Sequence, residues 1–172
     1  EILSGLVGSE MCIRDRGNRA YLLAHAGIEP RAFTCWLAGA GYTGEGGYAD
    51  VPIDVLRQAM AAQDEEDLLW IREAFWGVPT GLVGPDGRGP VVIAGHTPSG
   101  LLFRYAANMC GMGCNKDGLG CMVEVGPTYD TGGVADHLAI DCSAAAGAGV
   151  GRVGVMRLND RRVWYGDIAE GE

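Results

Sequence analysis

Positive charge is scarce in this chain. Thirteen lysine and arginine residues stand against 22 aspartate and glutamate residues, and the formal net charge is −9. Surfaces that bind nucleic acid are normally basic, so we do not expect nucleic acid to be a main partner.

Long apolar runs are also missing. No run approaches the ~20 residues of a membrane-spanning helix, so no membrane partner is expected. The N-terminal end has no basic region followed by an apolar stretch and a small-residue cleavage site, which argues against a signal peptide. A chain of this length without an export signal is expected to be cytoplasmic and to keep its six cysteines reduced.

The chain does have enough apolar sequence for one folded domain. Its 172 residues are 48% hydrophobic, and the 29 glycines indicate many turns. Strands interleaved with helices indicate an α/β fold, which we expect to be a sandwich of mixed β-sheets flanked by helices. The predicted strands are residues 20–24, 91–94 and 138–141, the predicted helices are 53–60 and 64–76, and a C-terminal hairpin is predicted at 153–165.

The first sixteen residues form a segment that we interpret as non-native. Their sequence, Glu-Ile-Leu-Ser-Gly-Leu-Val-Gly-Ser-Glu-Met-Cys-Ile-Arg-Asp-Arg, resembles a translated sequencing-adaptor string that recurs at the broken ends of metagenomic reading frames. We therefore expect residues 1–16 to pack on nothing, and we place the domain at residues 17–172. The alternative is an ordinary N-terminal strand and loop.

Two of the three histidines follow predicted strands. His25 comes directly after the apolar run 20–24, and His96 follows the run 91–94 after a single glycine. Strand ends in α/β folds are where reactive side chains collect, and a neutral imidazole is a common ligand for Zn, Fe and Mn. We expect the two rings to converge. The alternative is that both histidines make structural hydrogen bonds only.

Four short motifs occur in one order along the chain. They are His-Ala-Gly-Ile-Glu-Pro at 25–30, Asp-Leu-Leu-Trp-Ile-Arg at 67–72, Gly-His-Thr-Pro at 95–98 and Ile-Asp-Cys at 140–142. This order resembles the C-terminal half of bacterial serine/threonine phosphoprotein phosphatases of the calcineurin-like metallophosphoesterase superfamily. The resemblance implies a partial metallophosphoesterase fold whose N-terminal part is missing from residues 17–172.

The resemblance also implies roles for three residues. His25 and His96 match metal ligands of the family, and Arg72 matches the catalytic arginine that contacts the substrate phosphate. The implied cofactor is a pair of divalent ions, Mn first and Fe or Zn as alternatives, that activates a hydroxide. A guanidinium suits the arginine role because it pairs bidentately with phosphate oxygens. The alternative for Arg72 is a surface ion pair with Glu73.

The upstream ligand motifs of the family are not found. Gly-Asp-x-His-Gly, Gly-Asp-x-x-Asp-Arg-Gly and Gly-Asn-His-Glu have no match, since residues 166–169 have Ala169 and residues 17–19 have Arg19 where a histidine is required. Ser143 also replaces the glycine that the family has after the Ile-Asp-Cys motif. We therefore expect the fragment alone to hold no pair of metals and to be inactive.

The function that these motifs imply is metal-dependent phosphoester hydrolysis, with a protein serine/threonine phosphatase as the first interpretation. The partner is then a phosphoprotein or a small phosphoester substrate. A symmetrical dinucleoside tetraphosphate hydrolase of the same fold is an alternative, and a non-catalytic binding module with a degenerate site is an alternative of another class. We interpret His137 as structural or solvent-facing. Cys110, Cys114 and Cys121 are interpreted as an insertion rather than a zinc site, because their spacing matches no paired Cys-x2-Cys pattern.

Overall fold

The computed structural model describes residues 11–45 and 47–169. Within these residues the chain forms a six-stranded sheet, a two-stranded sheet and four α-helices, and none of those helices is long and apolar enough to cross a membrane. The strands are β1 (Met11–Arg14), β2 (Ala20–Ala24), β3 (Val91–Ala94), β4 (Met109–Cys110), β5 (Val123–Val125), β6 (His137–Ala139), β7 (Arg152–Arg157) and β8 (Arg162–Asp167). The helices are α1 (Pro30–Gly39), α2 (Ile53–Ala61), α3 (Glu65–Trp70) and α4 (Glu73–Trp76).

The large sheet is mixed, with the strand order β1-β2-β3-β6-β5-β4. Strands β2, β3 and β6 run parallel, while β1, β5 and β4 are antiparallel to their neighbours. Ala24 of β2 lies opposite Ala94 of β3, which in turn lies opposite Ala139 of β6. The three parallel strands therefore end together, at one edge of the sheet. The predicted α/β class, with a mixed sheet flanked by helices, is confirmed at this level of detail.

The two faces of the sheet are covered differently. Leu22 and Val92 point into the larger cluster, which contains the apolar faces of the helices, and each is fully buried. Tyr21 and other alternate residues form a smaller cluster on the opposite face, where Met156 and Leu158 of the β7–β8 hairpin pack. Burying one large apolar side chain stabilises a fold by about 1.5–3 kcal/mol, so this period-2 alternation fixes which face of each strand meets the helices.

Most predicted elements lie where the apolar pattern put them. Strands β2 and β3 match their predicted bounds, α2 extends one residue beyond its own, and the hairpin forms with its turn at residues 158–161. Helix α1 was not predicted. Its N-cap is Glu29, whose carboxylate accepts from the backbone N–H groups of Arg31 and Ala32, and Pro30 is its first residue.

The expectation that residues 1–16 pack on nothing is wrong for β1. This strand pairs antiparallel with β2, Cys12 is only 3% exposed, and Nη2 of Arg14 donates to the carbonyl of Val51 at 2.7 Å. Residues 1–10, which include Leu6 and Val7, lie outside the described residues. Without β1, strand β2 would be the edge of the sheet and would offer unpaired backbone groups, and residues 11–14, which lie close to it in sequence, pair with them. The foreign origin of residues 1–16 stays an interpretation.

The single helix predicted across residues 64–76 is interrupted. Helix α3 ends at Trp70, α4 begins at Glu73, and the two residues between them have non-helical backbone angles. In a continuous helix Arg72 would share one face with Leu68 and Phe75, which are both buried. The interruption turns the arginine away from that apolar face, and it keeps its guanidinium out of the core.

Candidate functional site

His25 and His96 lie side by side at the edge where the parallel strands end. The backbone carbonyl of His25 accepts from Gly95 at 2.9 Å, which continues the pairing of β2 with β3 up to the two histidines. The Nε2 atom of His25 lies 2.9 Å from Nδ1 of His96, and the ring centroids are 4.7 Å apart. The expected convergence of the two rings is confirmed, while their roles as metal ligands stay predictions.

Arg72 joins the histidine pair from the break between α3 and α4. Its Nη2 lies 2.8 Å from Nε2 of His96, and its Nη1 donates to the carbonyl of Trp70 at 3.2 Å. The indole of Trp70 meets the His96 ring edge-on at a centroid distance of 5.1 Å and is 60% exposed. No ion pair between Arg72 and Glu73 occurs in the described part of the chain. The structure therefore brings together all three residues that the motifs singled out.

The hydrogen bonds of the cluster fix the proton positions on both rings. A guanidinium only donates, so Nε2 of His96 must accept from Arg72. His96 is then protonated at Nδ1 and donates to Nε2 of His25, which leaves the proton of His25 on its own Nδ1. Both rings are neutral in this arrangement. The lone pairs that a metal ion would need, Nε2 on each ring, are engaged in these two hydrogen bonds.

The surroundings of His96 disfavour its protonated form. Partial burial lowers the pKa of His96 below its ordinary value of 6.5, and the positive charge of Arg72 and the neighbouring His25 lower it further. The carboxylate of Asp141 opposes this shift and raises the pKa of His96. A neutral His96 is the form that can accept from Arg72 or bind a metal.

The backbone at His96 adopts an uncommon conformation. Its φ is +60°, in the left-handed region that side chains other than glycine rarely occupy, and the N–H of Thr97 donates to the carbonyl of Gly95 at 2.6 Å. Such a conformation costs of order 1–3 kcal/mol and persists only where the surrounding structure holds it. Here β3 holds one side of the turn, and the buried side chain of Thr97 holds the other.

Asp141 follows the third parallel strand and lies at the same edge. Its carboxylate accepts from the backbone N–H of Ser143 at 2.9 Å, and its carbonyl accepts from the N–H of Ser99 in the loop after His96. Ser143 has a φ of +63° and is buried, so it sits in a backbone conformation that glycine favours. This conformation strains the backbone next to Asp141.

The donor set of the cluster is smaller than a pair of metal ions requires. Two imidazoles converge, but among residues 11–45 and 47–169 no group of three or more histidine, cysteine, aspartate or glutamate side chains could hold a metal ion. A dinuclear centre needs ligands that bridge or surround both ions. The described residues therefore fit a share of such a centre and do not fit the whole of it.

His137 belongs to the core and not to the cluster. It is 1% exposed, so the structural interpretation holds and the solvent-facing one is wrong. Its Nδ1 lies 2.6 Å from Oδ1 of Asp136, and its Nε2 lies 3.0 Å from the carbonyl oxygen of Phe75. The other carboxylate oxygen of Asp136 accepts from the N–H and the hydroxyl of Thr80. The ring thus links β6 to helix α4.

Cys110, Cys114 and Cys121 are separate from the cluster as well. All six cysteines fall in the described residues and are free thiols. Burial raises the pKa of the Cys121 thiol, while Cys110 and Cys114 are exposed. A backbone bridge from Cys114 to Gly120 closes residues 114–120 as a small loop.

Comparison of the chain with protein-family models, curated proteins and solved structures gives no match. The interpretation of the cluster therefore rests on its own geometry. That geometry contains one element that the sequence pattern did not reveal, the hydrogen-bonded contact of α4 with the His96 loop. The adjacent aromatics Phe75 and Trp76 were the available signal, but a helical pattern alone does not say what an aromatic side chain contacts.

Proposed function

We propose that residues 17–172 are part of a metal-dependent phosphoester hydrolase of the calcineurin-like metallophosphoesterase type, acting on phosphoserine or phosphothreonine proteins. The observation that carries the proposal is the meeting of His25, His96 and Arg72. They come from three separate motifs and lie at one sheet edge. There His96 is within hydrogen-bonding distance of both His25 and Arg72. Two neutral imidazoles beside one guanidinium are a suitable set for binding metal and phosphate together.

In this proposal each residue has one task. Nε2 of His25 and a ring nitrogen of His96 are ligands for divalent ions, Mn first with Fe or Zn as alternatives. Arg72 exchanges its hydrogen bond with His96 for oxygens of the substrate phosphoryl group, because charged phosphate oxygens are stronger acceptors than an imidazole nitrogen. That exchange would release Nε2 of His96 for the metal, and Nε2 of His25 would bind once it also gives up its hydrogen bond with Nδ1 of His96. Bound metal ions would supply an activated hydroxide at neutral pH.

The remaining ligands are expected from sequence upstream of residue 17 in the parent protein. A bridging carboxylate is the first requirement, since the described residues bring no third ligating side chain to the two histidines. The fragment alone is therefore proposed to be inactive, and the parent protein to be a phosphoric ester hydrolase.

The test uses the complete reading frame recovered from the source DNA. We expect Mn²⁺-stimulated hydrolysis of an aryl phosphate, loss of metal and activity in His96→Ala, and a fall in kcat of about 10²–10³ in Arg72→Ala with metal content unchanged. Arg57→Ala is the matched control, because Arg57 is an exposed arginine whose partner is Asp54. Activity should be scored on a phosphoserine peptide and on a dinucleoside tetraphosphate.

Each outcome has a separate meaning. Preference for the dinucleotide would replace the protein-phosphatase interpretation by the hydrolase alternative. An upstream sequence without Gly-Asp-x-His-Gly, together with no turnover, would favour a non-catalytic binding module. Retention of both metal and activity in His96→Ala would remove the basis of the proposal.

A further inference from the structure

Helix α4 is anchored directly next to Arg72. It has four residues, Arg72 is its N-cap residue, and the carbonyl of Arg72 accepts from the backbone N–H groups of Phe75 and Trp76. The start of the Arg72 side chain therefore moves with this helix. Phe75 is fully buried and Trp76 is 1% exposed, so both aromatic side chains hold α4 against the rest of the domain.

Trp76 connects α4 to the loop that carries His96. Its indole Nε1–H donates to Oγ1 of Thr97 at 3.2 Å in a buried position, and Thr97 is the residue after His96. Thr97 is 1% exposed. One buried hydrogen bond thus joins the segment that begins at Arg72 to the turn that carries His96, the hydrogen-bond partner of Arg72.

Phe75 connects α4 to the loop that carries His25. A Cβ placed on Gly27 would lie 2.4 Å from Cδ1 of Phe75, so the ring lies directly on this glycine, two residues after His25. The Phe75 carbonyl oxygen also lies 3.0 Å from Nε2 of His137. Helix α4 therefore contacts both histidine loops and the core behind them.

We propose that Trp76 and Thr97 are positioning residues that set the contact between Arg72 and His96. The effect on a catalytic rate rests on the proposed function. The effect on the contact between Arg72 and His96 does not. Van der Waals packing alone would permit α4 to shift along its contact surface, whereas a buried donor with a single acceptor fixes its depth. A displacement of about 1 Å at a catalytic group is enough to lower a rate about 10²-fold.

The first test needs no substitution. The indole N–H of Trp76 should exchange with solvent far more slowly than that of Trp70, which is 60% exposed and serves as an internal reference. Equal exchange rates would show that the contact is not formed and would overturn the inference.

The second test uses Thr97→Val, which removes the acceptor and keeps the shape. Imidazole ¹⁵N spectra at mildly alkaline pH report which ring nitrogen of His96 carries the proton. The unsubstituted chain should show Nδ1–H, and Thr97→Val should populate Nε2–H as Arg72 withdraws. Thr97→Ser, which restores an acceptor, should return the original spectrum. Thr34→Val is the matched control, because the Thr34 hydroxyl bonds only within its own helix.

An unchanged His96 spectrum in folded Thr97→Val would overturn the inference. If Thr97→Val does not fold, Trp76→Phe gives the decision by the same spectrum, since it removes the donor and retains an aromatic ring. In the complete protein, Thr97→Val should lower kcat by about tenfold to a hundredfold, and Thr97→Ser should recover it. If the His96 spectrum changes in Thr97→Val but the complete protein has no phosphoesterase activity, the proposed function is wrong. The positioning role of Trp76 and Thr97 is then still supported.

Discussion

Removing the buried carboxylate of Asp136 should destabilise the fold more than any other single change at a polar core residue. Asp136 is 0% exposed and accepts from three donors, the N–H of Thr80 at 2.7 Å, the Thr80 hydroxyl at 3.0 Å and Nδ1 of His137 at 2.6 Å. In Asp136→Ala all three groups stay buried and lose their acceptor.

The expected cost follows from these three groups. An unsatisfied buried donor costs about 1–3 kcal/mol, and a hydrogen bond to a charged acceptor contributes about 1.5–3 kcal/mol. Because the three bonds share one side chain, their costs do not add, and we expect a loss of about 3–5 kcal/mol. Typical domains have about 5–15 kcal/mol of stability in total, so this loss brings Asp136→Ala close to unfolding.

Asp136→Asn is the matched control for this prediction. Its amide oxygen can still accept from Thr80, and its NH₂ group takes the place of the carboxylate oxygen that lies 2.6 Å from Nδ1 of His137. We expect a cost of about 1 kcal/mol, because one charge-assisted bond becomes a neutral one. Asp54→Ala, which removes an exposed ion pair with Arg57, should cost less than about 1 kcal/mol.

The measurement is urea unfolding followed by far-UV circular dichroism at neutral pH, with the slope of each transition compared between variants. Equal losses of stability in Asp136→Ala and Asp136→Asn would show that the hydrogen bonds from Thr80 and His137 are not the source of the stability that the carboxylate contributes. A loss below about 1 kcal/mol in Asp136→Ala would refute the network itself.

Three further predictions concern other parts of the molecule. The pKa of His96 is lowered in the folded chain, so the unfolded chain takes up a proton first as the pH falls below 6.5. His96 therefore stabilises the fold above pH 6.5, and this contribution is lost as the pH falls from 6.5 to the folded pKa. An NMR titration should show that Arg72→Ala raises the pKa of His96, while burial keeps it below 6.5. Ser143→Gly should raise the free energy of unfolding by up to about 1 kcal/mol, because it relieves a φ of +63°. The urea midpoint should rise accordingly, and an unchanged midpoint would contradict this. Burial raises the pKa of the thiols of Cys12 and Cys142 to about 11, so mass spectrometry after brief alkylation of the native chain should find them unmodified; labelling at either would speak against their burial. The thiols expected to be labelled are the exposed ones, Cys35, Cys110 and Cys114.

The parts of the fold that the sequence predicts are those where burial controls the pattern. Strands β2 and β3 are short apolar runs inside a sheet that is covered on both faces, so composition alone locates them. Their parallel pairing then brings His25 and His96 to one edge, and the strand ends together with the motif resemblance predict that these two residues converge.

The parts that the sequence did not predict depend on tertiary context. Strand β1 exists through its pairing with β2, and no feature of residues 11–14 announces that partner. Helix α1 depends on a cap formed by the Glu29 carboxylate, whereas Glu-Pro after a glycine also fits a turn. The hydrogen bond from Trp76 to Thr97 joins two segments whose distance is a result of the whole fold.

The break at residues 71–72 determines where the side chain of Arg72 lies, and local helix stability would favour closing it. Protein engineers commonly replace residues of irregular segments by residues with high helix propensity, and each such substitution stabilises a helix by a few tenths of a kcal/mol. Here such substitutions would favour joining α3 to α4, and a joined helix would carry the guanidinium of Arg72 toward the apolar face that holds Leu68 and Phe75. An engineered variant could therefore unfold at a higher temperature and yet lack the contact between Arg72 and His96. Any redesign of this chain should leave these two residues outside the helix.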